Sequence, residues 1–300
     1  MAAGGSISDV SFHLDINGVC LGRETAGGEE TPPESYAQVM LANGTEYTFD
    51  GETKESYKLY VWRVKHPGSN SDPELRKVRK EALRHFVDEL PEDHPIKPKV
   101  TEQYARLRKQ LEESPIFPGL GVLIDRALES VSSPHFVFRT FGDDGKVIVK
   151  YLRERYPDFV LEGGLFDKDG HFQMCTIDED GAYEPLGKKE SDPVLIRNLL
   201  HVGHWVIKDC FERWREGGEA CSHGKPFFYS DSGGRREIMM DDNLEFVEWT
   251  EQRSIVCPMD VDSGAVKATE SVRDRLCKIN PVEAALDPEY LSTKAFSLLS

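Results

Sequence analysis

The chain has 300 residues, 39% hydrophobic and 10% aromatic, enough to bury a sizeable core in one large domain or in a core carrying an inserted one. A formal net charge of −16 argues against nonspecific binding to nucleic acid or to an anionic membrane. It also means that a phosphate-bearing substrate needs a local positive site, from a metal, a Lys or a helix N-terminus.

In chain order, Val10, Phe12 and Leu14 alternate with Ser11 and His13, which predicts a short strand ending at Asp15. Gly18 permits a sharp turn beyond it. Ligands of open α/β sheets bind outside the carboxyl ends of the strands, so Asp15 sits where a reactive or metal-binding acid would. The plainer alternative is an acid that caps its own turn. Residues 22–35 read as a loop. Asn43-Gly44 predicts a hairpin, and Tyr57 to Val64 a further strand. Pro73 opens a charged helix with Leu75, Val78, Ala82 and Phe86 near helical spacing, and its basic run 76–85 reads as a solvated face. Pro91, Pro95 and Pro98 break the chain before a helix over 101–113.

From there the rhythm is that of an alternating α/β core. A helix over 120–131 precedes an apolar strand, 135–141, and a turn at 142–145 leads into the next helix. A hairpin follows within 163–187, then a helix at 195–200 and a strand at 204–207, with Asp209 as the expected cap of the next helix. Residues 224–229 fit no single pattern. A strand over 237–240 ends at Asp241-Asp242-Asn243, another spans 254–259, and the chain turns helical from Pro281. There is no internal repeat.

Three strand-end signals therefore stand in order: Asp15 with Asn17 two residues on, Thr140 before a turn and helix, and the pair Asp241-Asp242. In the boxes DINGV, FRTFGDD and REIMMDDN this order resembles the haloacid dehalogenase-like superfamily of phosphatases and phosphotransferases. The resemblance covers roughly residues 8–20 and 116–260. It implies an α/β fold, a Rossmann-like core with a parallel sheet flanked by helices, formed by residues 1–20 and 116–300. Residues 21–115 fall where the family inserts a cap or flap. The resemblance further implies Mg²⁺ as cofactor, with Asp15 as nucleophile and metal ligand. Asn17 would lend its backbone carbonyl, and Asp241 and Asp242 would complete the metal site. Thr140 would hold phosphoryl oxygens, and a Lys would neutralise charge: Lys208 by its place after an apolar strand, or Lys225. The implied activity is a Mg²⁺-dependent phosphohydrolase or phosphotransferase acting on a phosphorylated small molecule or phosphoprotein.

One departure bears on that activity. The family's phosphatases carry an Asp where this chain has Asn17, and an amide neither protonates a leaving group nor activates water. General acid–base help is worth about 10²–10⁴-fold, so turnover is expected to be weak and Asn17→Asp to raise it. The alternatives are a non-catalytic protein that keeps the pocket for binding or scaffolding, and an unrelated α/β domain whose Asp15 and Asp241 are structural.

Other candidates read as structural. Cys20 has no nearby base and is expected to be a buried thiol. His13, His201 and His204 lack a further ligand set, and Asp167 to Gly170 reads as a turn rather than a calcium loop. Trp205, Phe211 and Trp214 are expected in the core. The six cysteines form no CxxC, which favours a reduced, cytoplasmic setting. The N-terminal residues lack the features of a signal peptide, and no apolar run approaches membrane-spanning length.

Overall fold

The computed structural model describes residues 7–23, 31–68, 72–178, 181–232 and 234–300. Its elements are β1 (Ile7–Asp15), α1 (Pro33–Gly44), β2 (Glu46–Tyr47), β3 (Glu55–Ser56), α2 (Tyr57–Tyr60), α3 (Pro73–Arg84), α4 (Phe86–Glu89), α5 (Lys97–Glu113) and α6 (Pro118–Ser130). Then come β4 (Val131–Thr140), α7 (Gly145–Arg155), β5 (Leu161–Phe166), β6 (Phe172–Ile177), β7 (Tyr183–Pro185), α8 (Pro193–Leu200), β8 (His204–Lys208) and α9 (Phe211–Glu216). The last are β9 (Lys225–Tyr229), β10 (Arg235–Asp241), β11 (Val256–Asp260), β12 (Ala265–Val266), β13 (Leu276–Lys278), α10 (Pro281–Leu286) and α11 (Tyr290–Ser297).

Eight strands form one sheet in the order β13-β10-β1-β4-β8-β5-β6-β7. Pairing is parallel from β13 through β5 and antiparallel beyond it. This is an α/β fold with a mixed, mostly parallel sheet flanked by helices, a Rossmann-like arrangement. A three-stranded sheet, β12-β11-β9, is separate from it.

β1 lies inside the sheet and is covered on both faces, as parallel strands require. Val10, Phe12 and Leu14 are fully buried in the main apolar cluster with α6 and α7. Burial of each such side chain is worth about 1.5–3 kcal/mol. The opposite face carries Ser11, His13 and Asp15, and these are buried too. There the His13 ring meets Phe227 of β9 edge-on at 5.2 Å. Alternation located the strand correctly, but its polar side faces protein rather than water.

The segment between β1 and α6 builds α1 to α5. Met40, Leu41, Val100 and Leu107 from it belong to the same apolar cluster as β1. Two expectations fail in this segment. Asn43-Gly44 closes no hairpin; it ends α1. Tyr36, Ala37, Met40 and Leu41 repeat at helical spacing and are all buried, and that face outweighs the turn dipeptide. The Asn280 amide donates to the Gly44 carbonyl at 2.9 Å, and a Cβ on Gly44 would lie 2.4 Å from Asn280 Oδ1, so Gly44 is where a second chain segment meets the helix end. Likewise Tyr57 to Val64 is α2 running into a π-helical turn, Val61–Lys65. Ser56 caps it by accepting from the Leu59 N–H, and Tyr57 and Val61, four apart, are the buried residues.

Three side chains also depart from expectation. Asp209 does not cap α9: Cys210 holds that position, and Asp209 pairs with the buried Arg139. Arg79, on the helix face expected to be solvated, is fully buried and donates to the carbonyls of His66 and Gly68. Phe211 is exposed, while Trp205 and Trp214 are buried as expected. The hairpin of 163–187 is β5 and β6 with β7 added, the undecided stretch 224–229 is β9, and the predicted strands at 204–207, 237–240 and 254–259 form. All six cysteines are free, and among the described residues no helix is long and apolar enough to cross a membrane.

Candidate active site

The carboxyl ends of β1 and β10 are adjacent, with Leu14 opposite Met240, so Asp15 and Asp241 emerge side by side. Asp242 follows at once, and carboxylate oxygens of all three lie within 4.8 Å of one another. All three residues are buried. Lys225, the first residue of β9, reaches between them: its Nζ is 2.7 Å from Asp15 Oδ1 and 2.8 Å from Asp241 Oδ2. The cation of the cluster is therefore Lys225. Lys208 lies at the end of β8 but turns away to pair with Asp143, with 37% of its side chain exposed.

Two further oxygens are held by the turn after β10. Asn243 donates its backbone N–H to Asp241 Oδ1 and its side-chain amide to Asp242 Oδ1, both at 2.8 Å. The Lys58 ammonium, from α2, donates to the Asn243 side-chain oxygen. Gly18 backs Asp242 closely: a Cβ there would be 2.6 Å from the carboxylate, and its φ of +81° suits glycine. Sequence reasoning missed Lys58 because a strand reading of 57–64 gave it no direction.

Charge in this cluster is unevenly balanced. Burial, and then Asp241 beside it, hold the Asp15 carboxyl well above the usual carboxylate range despite Lys225. Burial and Asp241 push Asp242 up to about 7. Burial opposes the charge on Lys225, yet Asp15 and Asp241 more than offset it and its pKa is raised. Three acids thus share too little positive charge, which is the condition a bound divalent cation relieves. Hard oxygen donors of this kind suit Mg²⁺.

Asn17 and Thr140 stand nearby in different ways. The Asn17 amide donates to Asp144 Oδ2 at 2.8 Å, while its own Oδ1 is buried without a hydrogen-bond partner. The turn that closes after β1 runs from the Gly18 N–H to the Leu21 carbonyl and from the Leu21 N–H to the Ile16 carbonyl, bypassing the carbonyl of Asn17. The Thr140 hydroxyl oxygen accepts from the Gly142 N–H at 2.9 Å, so it shapes the turn after β4. Cys20 is fully buried, and burial followed by Asp15 keeps its thiol well above the ordinary range.

A cavity of about 640 Å³ opens above the cluster. Asp15, Asn17, Lys225 and Asp242 line its floor. Tyr36, Lys58, Trp62, Arg76 and Lys80, from the helices between β1 and α6, form one wall. Phe141, Phe211, Trp214, Arg215 and Arg253 form the other. The walls combine cationic groups and aromatic rings with two further acids, Glu212 and Glu219, and Arg253 is paired with Glu219 and Glu245. Compared with known proteins, the chain matches no family model, no curated protein and no solved structure.

Proposed function

We propose that the protein is a Mg²⁺-dependent phosphohydrolase or phosphotransferase of the haloacid dehalogenase-like type, with Asp15 as the nucleophile. What carries the reading is the convergence of Asp15, Asp241, Asp242 and Lys225, three acids and one cation brought by β1, β10 and β9 to one place beneath a cavity. Asp15, Asp241, Asp242 and the Asn17 carbonyl would hold the metal. Bound there, Mg²⁺ would withdraw charge from the phosphoryl oxygens.

The steps for the chain's own residues follow from their chemistry. An Asp15 oxygen attacks phosphorus, the bond to the leaving oxygen breaks, and an aspartyl-phosphate forms, dividing one hard step into two. Lys225, already beside Asp15, stabilises charge on the transferring group. Phe141 and Gly142, in the turn after Thr140, line the cavity, and the Gly142 N–H is held by the Thr140 hydroxyl oxygen. Asn17 supplies no proton, so departure of a poor leaving group and hydrolysis of the intermediate are slow. The substrate class this reading implies is a phosphorylated small molecule or a phosphoprotein. A non-catalytic binding protein is the second reading, favoured by Asn17 alone.

Incubation with a reactive phosphoryl donor and Mg²⁺ tests this directly. The chain should acquire a hydroxylamine-sensitive phosphoryl label that is absent in Asp15→Asn. No label on folded, Mg²⁺-binding protein would leave the binding reading.

A further inference from the structure

A second cluster lies at the opposite end of the same strands. Asp9 of β1, His135 of β4 and His201, just after α8, each offer a ligand atom, all within 4.8 Å of one another. We infer that Asp9, His135 and His201 form a Zn²⁺ site that ties the amino ends of β1 and β4 to the turn after α8.

The hydrogen bonds around the two imidazoles carry the argument. His201 Nε2 is 3.0 Å from Glu237 Oε1. Glu237 is itself fixed by Arg197 at 2.6 Å and by Arg275 at 3.1 Å, so it is a charged acceptor and Nε2 carries the proton. In the neutral ring, Nδ1 is then a bare lone pair, yet it faces Asp9 Oδ1 at 3.2 Å. Two acceptors in that position repel unless a proton or a metal ion lies between them.

His135 repeats the pattern. Its Nδ1 donates to the Gly203 carbonyl at 3.2 Å, which leaves the Nε2 lone pair 3.5 Å from the same Asp9 oxygen. The other Asp9 oxygen is occupied by the Arg235 guanidinium at 2.9 Å. Each ring thus has one nitrogen on a carboxylate or a backbone carbonyl and turns the other toward Asp9, as metal-binding histidines do, with the Ser133 hydroxyl also 3.0 Å from His135 Nε2. The two distances to Asp9 Oδ1, 3.2 and 3.5 Å, suit the ion. With bonds of about 2.0 Å, two ligands of a tetrahedral zinc lie about 3.3 Å apart. The Ser133 hydroxyl, 3.0 Å from His135 Nε2, can rotate to become a fourth oxygen or hold a water there. Two imidazoles and one carboxylate suit Zn²⁺ over Mg²⁺. The competing occupant is a proton on His201, which would make the cluster an ion-pair network.

Chelator-stripped full-length protein titrated with Zn²⁺ should bind one ion here with a rise in melting temperature. Co²⁺ should give the intense visible bands of a tetrahedral nitrogen-containing site. His135→Gln and His201→Gln should each weaken Zn²⁺ binding by more than about tenfold and lose the Co²⁺ bands. Should those variants misfold, Zn²⁺-soaked wild-type crystals still decide: an anomalous peak between Asp9, His135 and His201 supports the site. Absence of a peak there, or Co²⁺ bands unchanged in both folded variants, overturns it.

Discussion

Asn17 is bonded to Asp144, and that contact changes what a substitution at Asn17 would do. From the sequence, Asn17→Asp is a near-isosteric gain of an acid. In the structure the Asn17 amide is 2.8 Å from Asp144 Oδ2, so the single change sets two carboxylates against each other. Such a pair shares a proton at a cost in stability. The better design is Asn17→Asp combined with Asp144→Asn, which reverses donor and acceptor across the same contact. The double variant should hydrolyse an alkyl phosphate at least about tenfold faster than wild type, within the usual range of general acid–base effects. If it folds, binds Mg²⁺ and shows no gain, the missing acid is not what limits turnover.

The two lysines give a sharper contrast. Lys225 is buried between Asp15 and Asp241, so Lys225→Met leaves buried acids unpaired and should cost about 3–5 kcal/mol by chemical denaturation. Lys208 makes a partly exposed pair with Asp143, and Lys208→Met should cost about 1 kcal/mol or less. Equal losses would contradict the placement of the two side chains. Sequence reasoning saw both and preferred Lys208, because an apolar strand before a helix is visible in a string of residues. Lys225 gains its place only when β9 folds over the face of β1 that carries Asp15. That packing joins residues distant in the chain, and no local pattern records it.

At the scale of elements, the carboxyl ends of β1 and β10 hold acids that a metal-free protein tolerates poorly when ionised. Asp242 has its pKa raised to about 7 in the folded chain, above its unfolded value. A raised carboxyl stabilises the fold while it is protonated, and that contribution is lost as pH rises from about 4 through about 7. Buried His13, held well below its ordinary pKa by burial and then Arg139, acts in the opposite sense, since its contribution is lost as pH falls below about 6.5. A difference measurement separates them. In chelator, the melting temperature of wild type relative to Asp242→Asn should fall between pH 4 and 7 and then level off. Mg²⁺ should shrink that fall by binding the native state. A difference independent of pH would show that Asp242 does not titrate in this range.

The strands of the alternating core were legible because apolar runs bounded by turn residues have few other meanings. The helices α1 and α2 were not. Asn43-Gly44 outweighed the buried face made by Tyr36, Ala37, Met40 and Leu41, and YKLYVWRV alternates about as well as it fits a helix. In both places tertiary packing selects the helix: α1 lies against α5 and α10, and α2 against α1. Arg79 belongs to the same lesson. One residue of a basic run turns inward, donates to two carbonyls at the end of the π-helical turn and stacks 5.2 Å from the Trp62 ring. Arg79→Ala removes charged hydrogen bonds worth about 1.5–3 kcal/mol each before compensation, so it should lower the melting temperature and loosen the cavity wall at Trp62. An unchanged melting temperature would contradict that role.

Over the whole molecule, the sheet presents acids at both ends of its central strand. At the carboxyl end Asp15, Asp241, Asp242 and Lys225 meet under the cavity, which the helices between β1 and α6 wall on one side. At the amino end Asp9 faces two imidazoles. The first arrangement leaves excess buried negative charge beside a cavity of about 640 Å³, and the proposed phosphoryl chemistry rests on it. A crystal structure with Mg²⁺ and beryllofluoride, a mimic of a phosphoryl group on a carboxylate, tests that claim most directly. The account predicts beryllium bonded to an Asp15 oxygen, Mg²⁺ shared by Asp15 and Asp241, and Lys225 against a fluoride. Mg²⁺ and beryllofluoride both absent from Asp15 at saturating concentration, with Lys225 still bridging Asp15 and Asp241, would contradict it.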